Sequence, residues 1–321
     1  MRRLIRAQIP GLLVLAAALA CSVPQPIDSP ANLSLFDTVT PDTSAETVST
    51  PLVERMTSAT DAAAAERGAQ VSIAILDRRS GSNLDSAGSQ PIESASVAKL
   101  FIAAQVFHLD ATGERPVTDG DGQLLARMLE SSDDYAANAL WDELGGPDLV
   151  PDVAARYRLS ATTPPWDGRW WNTETTASDL VAFYDGLLDD RDRLGPERMA
   201  EFVGYLRAST SRAIDGYDQR FGIPDGLPGE NSLGVKQGWM CCIQGRWIHL
   251  SSGVIGDDDR YLLAVASRED IRYEDDEDSY YPDTAITDVT EDSSARHARD
   301  TVTGVVRDLF PAGVIDNWAQ G

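Results

Sequence analysis

The sequence predicts a mixed α/β (α+β) fold: an antiparallel sheet flanked by the terminal helices, with an all-helical lobe inserted between the two halves of the sheet. Three observations lead there. The elements run helix, strands, a block of helices, strands, helix. One segment, 96–106, is apolar on nearly every side, and the strand-like stretches stand before and after the helical block. Taken in order, 52–67 reads as a helix, strongest at the alanines of 62–65. The stretch 70–76 alternates and is rich in β-branched residues, a strand followed by a turn at Ser80-Gly81-Ser82. Val97, Leu100, Phe101, Ile102 and Val106 surround the helix 96–106, and a helix apolar all round is a buried one. Helices are then expected over 121–129, 135–144, 148–157, 177–188 and 196–207, with a polar, aromatic loop at 162–176. Strands return at 232–242, 247–255 and 260–267, and a last helix, 295–310, closes the chain. The sheet lobe is assigned to 51–95 and 208–321 and the helical lobe to 96–207. The seam between them makes a cleft, the default place for a site.

The N-terminus reads as an export signal. Arg2, Arg3 and Arg6 precede an apolar run over 9–20 that is interrupted by Pro10 and Gly11 and is too short to span a bilayer. It ends Ala18-Leu19-Ala20-Cys21, so 1–20 is expected to be a signal peptide and Cys21 the lipidated first residue of the mature chain. The fit is incomplete, because Ala18 precedes Leu19 where the pattern usually has Leu before a small residue. Arg2-Arg3 also suits a twin-arginine signal, and a cleaved signal with an incidental cysteine is the plainer alternative. Residues 21–50, rich in Pro, Ser, Thr and Asp, read as a flexible tether that leaves the folded domain at 51–321. The expected location is therefore outside the membrane, lipid-anchored or secreted.

The formal net charge is −24, which repels nucleic acid and anionic lipid and excludes both as partners. The acidic run 274–278 is read as a solvated loop without the spacing of a calcium-binding hand. Besides Cys21 there are only the adjacent Cys241 and Cys242, read as small hydrophobes, with a vicinal redox pair as the alternative. His108, His249 and His297 lack metal-ligand spacing, so no metal and no cofactor is expected. The chain is read as a monomer.

The lysines carry the chemistry. Of 27 basic residues only two, Lys99 and Lys236, are lysine, the one cation of the pair that can give up its proton. Lys99 closes Ser96-Val97-Ala98-Lys99, a spacing that puts both side chains on one helix face. An amine desolvated beside another cation loses basicity and can take a hydroxyl proton. Lys236 opens Lys236-Gln237-Gly238 on a strand, and between the two lysines stands Ser132-Asp133-Asp134 at a helix start. In order and setting these resemble the Ser-x-x-Lys, Ser-Asp-Asn and Lys-Thr-Gly of the penicillin-recognising serine hydrolases, class A β-lactamase branch. The resemblance covers about 52–310. It implies a β-lactamase/transpeptidase-like fold, Ser96 as acyl-accepting nucleophile and Lys99 as its proton acceptor. It also implies Ser132 as proton donor to the leaving nitrogen, Lys236 as polarising cation, and the backbone N–H groups of Ser96 and Trp239 as oxyanion hole. Asp134, Gln237 and Gly238 fall at substrate-contacting positions, and the substrate is a small-molecule or peptidoglycan-like acyl donor.

The departures from that pattern matter as much. Asp134 replaces an amide donor with a carboxylate that only accepts. Gln237 stands in for a hydroxyl that contacts the substrate carboxylate, and its amide retains donors for the task. Trp239 is bulky where the family is small. The stretch between Ser96 and Ser132 is short, which reduces one wall of the cleft. The omega-loop Glu-x-x-x-Asn is absent; the matching 166–172 holds Asp167 and Asn172, one residue too far apart, and Asp167 reads as a loop acid before a deacylating base. Glu174 and Asp179 read as acids near a helix start. Arg246 and His249 read as a turn arginine and a strand histidine before carboxylate ligands. Two functions follow: an acyl-serine hydrolase that is a poor β-lactamase, or a degenerate surface lipoprotein that keeps the fold to bind a cell-wall component or a protein.

Overall fold

Five strands form one antiparallel sheet in the order β2-β1-β7-β6-β5. They are β1 (Ala69–Asp77), β2 (Ser82–Ser86), β5 (Leu233–Ile243), β6 (Arg246–Ile255) and β7 (Tyr261–Asp270). The computed structural model describes residues 44–272, 293–315 and 318. The signal, Cys21 and the acidic run 274–278 lie outside them. β1 and β7 are paired from Ala69↔Glu269 to Asp77↔Tyr261, so a strand from before the helical block is zipped to one from after it.

Alternation sorts the strand side chains between two cores. Ile73 and Ile75 of β1 join Leu52, Met56, Trp247, Val302 and Phe310 under α1 (Ser44–Arg67) and α9 (Ser293–Leu309). Ala74 of the same strand faces the other way, into the core of the helical lobe. There α2 (Lys99–Ala111) is buried at every position from Lys99 to Phe107, as its all-round apolarity requires. Around it pack α3 (Asp119–Glu130), α4 (Asp134–Glu143), α5 (Leu149–Tyr157), α6 (Ala177–Leu188) and α7 (Pro196–Arg207). Phe101 meets Phe183 edge-on at 5.5 Å, and burying one such ring stabilises by about 1.5–3 kcal/mol. Local signals set the helix starts. Thr118 and Asp121 form a reciprocal capping box on α3, and Asp133 caps α4 through the N–H groups of Tyr135 and Ala136.

Besides β2, the structure adds three elements and one extension that the sequence did not show. β3 (Ile92–Glu93) pairs with β4 (Glu174–Thr175), fastening the loop 162–176 beside the start of α2. A single turn, α8 (Ile223–Gly226), precedes β5. Finally, α1 begins at Ser44 and runs through Pro51, inside the stretch expected to be tether. An interior proline costs a helix one backbone bond.

Candidate active site

Ser96 sits on a 3₁₀ turn, Ala95–Ala98, that leads directly into α2. Two bonds hold the turn: Val97 N–H donates to Ser94 C=O at 2.9 Å, and Ser94 N–H donates to Thr173 C=O at 2.8 Å. Ala95 adopts φ 45°, a left-handed conformation that non-glycine residues enter only under constraint. β5 presses on this turn from the sheet side. A Cβ at Gly238 would lie 2.7 Å from Ser94 O, so only glycine lets the strand approach so closely. The Lys-x-Gly spacing therefore has a packing cause here: the glycine allows contact, and the lysine two residues earlier shares its face.

Both lysines are buried, and one hydroxyl joins them. Lys99 Nζ lies 2.9 Å from Ser96 Oγ, 2.6 Å from Ser132 C=O and 3.2 Å from Ser132 Oγ. Its fourth partner is Asp134 Oδ1 at 2.6 Å. An ammonium has three N–H donors, so all four contacts cannot be donated at once. A neutral amine has two donors and one lone pair, so it too meets only three of the four: it can accept from Ser96 O–H, but it then leaves one of the other acceptors unserved. Lys236 Nζ reaches Ser132 Oγ at 2.9 Å and its neighbour's carbonyl, Gln237 O, at 3.1 Å. Burial lowers the Lys99 pKa, and Asp134 pushes back against that fall. Lys236 falls well below the ordinary lysine value, through burial first and the neighbouring Lys99 second.

Ser132 reaches both lysines because of its backbone. Its φ is 56°, and this left-handed turn aims its carbonyl and its hydroxyl at the same amine. The turn is clamped from both sides. Asp133 caps α4 and pairs with Arg127, while Ile214 N–H donates to Ser131 C=O at 2.8 Å.

In front of Ser96 lies a cavity of about 80 Å³, lined by Ser96, Asp134, Trp170, Trp171, Asp215, Trp239 and Met240 among others. Trp170 is fixed by its indole N–H to Asn138 Oδ1 at 2.8 Å, and Lys99 Nζ stands 4.7 Å from the centre of its ring. Trp239 stacks on Tyr217 at 4.5 Å with the planes 5° apart. Asp215 is a site residue that sequence reasoning missed. It stands in a loop without motif or periodicity, and burial, joined by the charge of Asp134, raises its carboxyl pKa.

The chain is similar to known proteins. The profile of the β-lactamase enzyme family matches residues 122–289. Relatives in Mycobacterium tuberculosis and Mycobacterium bovis are 45% identical over 264 residues, covering 82% of this chain and 76% of theirs. The chain belongs to the β-lactamase enzyme family. Those relatives bear the name LppW, lipoproteins by that name alone. Among solved structures, PBP-A superposes with a TM-score of 0.62 at 16% identity, covering 81% of this chain and 96% of its own. The β-lactamase of Sphaerobacter thermophilus gives 0.60 at 17%, covering 81% and 96%. These two show the fold alone.

Against the β-lactamase pattern, several expectations need correction. Gln237 does not offer its amide to the cleft. Alternation along β5 turns it away from Lys236, and its Nε2 donates to Gln219 O at 3.0 Å and Phe221 O at 2.6 Å. Gly238 serves close packing. Trp239 does border the cavity, since β5 is an outer strand of the sheet. His249 is buried, its Nε2 shares a hydrogen bond with the Tyr217 hydroxyl at 2.7 Å, and burial drives its pKa well down. Arg246 pairs with Asp270 on the surface at 2.9 Å. Neither faces the site. Asp167 and Asn172 do meet, at 2.9 Å, despite their spacing, and the other Asp167 oxygen accepts from Arg169 N–H at 3.1 Å. Asp179 holds its loop by accepting from the N–H groups of Ser160 and Ala161. Cys241 and Cys242 are joined as a vicinal disulfide, contrary to two independent small hydrophobes.

Proposed function

We propose that this protein is an exported, lipid-anchored serine hydrolase of the β-lactamase/D,D-peptidase type that forms an acyl-enzyme on Ser96 and clears it slowly. The observation that carries the reading is the chain of contacts from Ser96 Oγ through Lys99 Nζ to Ser132 Oγ and Lys236 Nζ. Neutral Lys99 takes the Ser96 proton as Oγ bonds to the acyl carbon, and the carbonyl π electrons move onto oxygen. The backbone N–H groups of Ser96 and Trp239, flanking the cavity, receive that oxyanion. As the intermediate collapses, the bond to the leaving group breaks and Ser132 O–H protonates it. Ser132 recovers a proton from the lysine pair, which returns Lys99 to the neutral state. Hydrolysis needs a second base on a water, and the omega-loop glutamate is missing. Both oxygens of Asp167 are engaged within its own loop. Loss of a general base costs a factor of about 10² to 10⁴ in the step it serves.

Penicillin incubated with the purified protein is expected to leave a long-lived adduct on Ser96, seen by mass spectrometry and absent in Ser96→Ala. Fast turnover of a chromogenic cephalosporin would contradict the stall and return Asp167 to the role of base. Cys21→Ser is expected to move the protein from the membrane to the soluble fraction. Unchanged fractionation removes the lipid anchor from the reading.

One observation favours a second reading, a non-catalytic binding lipoprotein. Asp134 at 2.6 Å favours Lys99 as an ammonium, which cannot accept the Ser96 proton. Absence of any adduct with all acyl donors tried would select it.

A further inference from the structure

We propose that the acyl donor accepted by this cleft carries a cationic group, an ammonium, seated in the cavity beside Ser96. That the ligand is an acyl donor rests on the acyl-serine reading above; that it is cationic rests on the cavity alone. Among the described residues lining that cavity, the charged ones are Asp134 and Asp215, both carboxylates. Asp134 is matched to Lys99. Asp215 has no ion-pair partner among the described residues, though the buried Lys99 acts on it at longer range, and its Oδ1 accepts the backbone N–H of Tyr217 at 2.9 Å. The remaining walls are largely aromatic, from Trp170, Trp171 and Trp239, and indole is the ring that attracts a cation most strongly.

A carboxylate meets the reverse. The Lys236 amine is buried and committed to Ser132 Oγ and Gln237 O. The Gln237 amide is spent behind the strand, and Arg299 stacks at 4.8 Å on Tyr217, itself stacked on Trp239. The long-range field points the same way, since a chain of net charge −24 concentrates cations and repels anions at its clefts. Burial of Asp215 raises its pKa, and a bound ammonium would reverse that rise, so cation and carboxylate stabilise one another.

Three ligands of one shape test this: choline, its neutral isostere 3,3-dimethylbutan-1-ol, and the anion 3,3-dimethylbutyrate. They are titrated calorimetrically into full-length Ser96→Ala protein, so that binding is read without acylation. Choline is expected to bind about tenfold tighter than the alcohol, with the anion weakest, and Asp215→Asn in the same background should remove most of the advantage. Equal binding of choline and the alcohol, or tightest binding of the anion, overturns the proposal. A second arm compares benzoylcholine with 3,3-dimethylbutyl benzoate on the parent protein, both leaving the same benzoyl adduct on Ser96. Faster labelling by the choline ester supports the proposal, and equal labelling overturns it while leaving the acyl-serine reading intact. No labelling by either ester, with choline preference preserved in the binding arm, supports the cationic pocket and sinks the acyl-serine reading instead.

Discussion

On the inner wall of the cleft, Ser96, Lys99, Ser132 and Lys236 are buried and each touches at least one of the others. On the outer wall, Asp134 is 49% exposed at its side chain, and Asp215 and Trp171 are half-buried. The inner wall follows the β-lactamase motifs residue for residue; the outer wall departs from them. Burial explains the difference. Each inner polar atom is taken out of water and needs a fixed partner, so replacing one member leaves the next unsatisfied at a cost of about 1–3 kcal/mol. Outer residues keep access to water and can change without that penalty. On the acyl-serine reading, the inner wall holds the reacting groups, while the outer wall is free to change what reaches them.

The comparison can be broken or sharpened by substitution. The largest effect is expected at Lys99. Lys99→Met should slow acylation of Ser96 by about 10² to 10⁴, measured as the rate of penicillin adduct formation. A rate within a few-fold of the parent would place the proton acceptor elsewhere and break the division between walls. Asp134→Asn should act in the opposite direction. Burial lowers the Lys99 pKa and Asp134 raises it, so removing the carboxylate lowers it further. Acylation needs the neutral amine and so rises with pH through that pKa; the rising limb should shift to lower pH and the rate at neutral pH should increase about tenfold. An unmoved limb would show that Lys99 does not titrate in this step. The smallest effect on rate is expected at Gln237. Gln237→Ala strips the carbonyls of Gln219 and Phe221 of their donor, costing about 1–3 kcal/mol in denaturant unfolding. Adduct formation should stay within about twofold. A large rise in KM with unchanged stability would return Gln237 to the substrate.

How much of this was legible in the sequence follows the same division. Lys99 and Ser96 could be joined because helical spacing alone sets their distance. Lys236 could be placed because strand alternation and Gly238 fix its face. The same alternation turns Gln237 away, yet the family pattern argued the other way, and the positional analogy obscured the period-two rule. Asp215, Tyr217 and the pinning of Trp170 by Asn138 were not legible. They depend on how the loops 162–176 and 208–222 fold back, and nothing periodic governs that. Apart from the start of α1, the helices and long strands were readable to within a few residues, because buried apolar faces impose a period. The β3–β4 pair, two residues a side, was too short to show one.

The pairing of β1 with β7 has a consequence for when the site comes into being. Everything between those strands is one long loop that this zipper closes. The Ser132–Lys236 contact alone joins residues 104 apart in sequence. Contacts of such separation form slowly, because the loop-closure entropy must be met before any of them repays it. The helix bearing Ser96 and Lys99 can form early from local contacts, yet its amine meets Ser132 and, through it, Lys236 only once the sheet has shut. On the acyl-serine reading, reactivity at Ser96 is thus a report on completed folding, and a chain caught midway carries its hydroxyl unarmed.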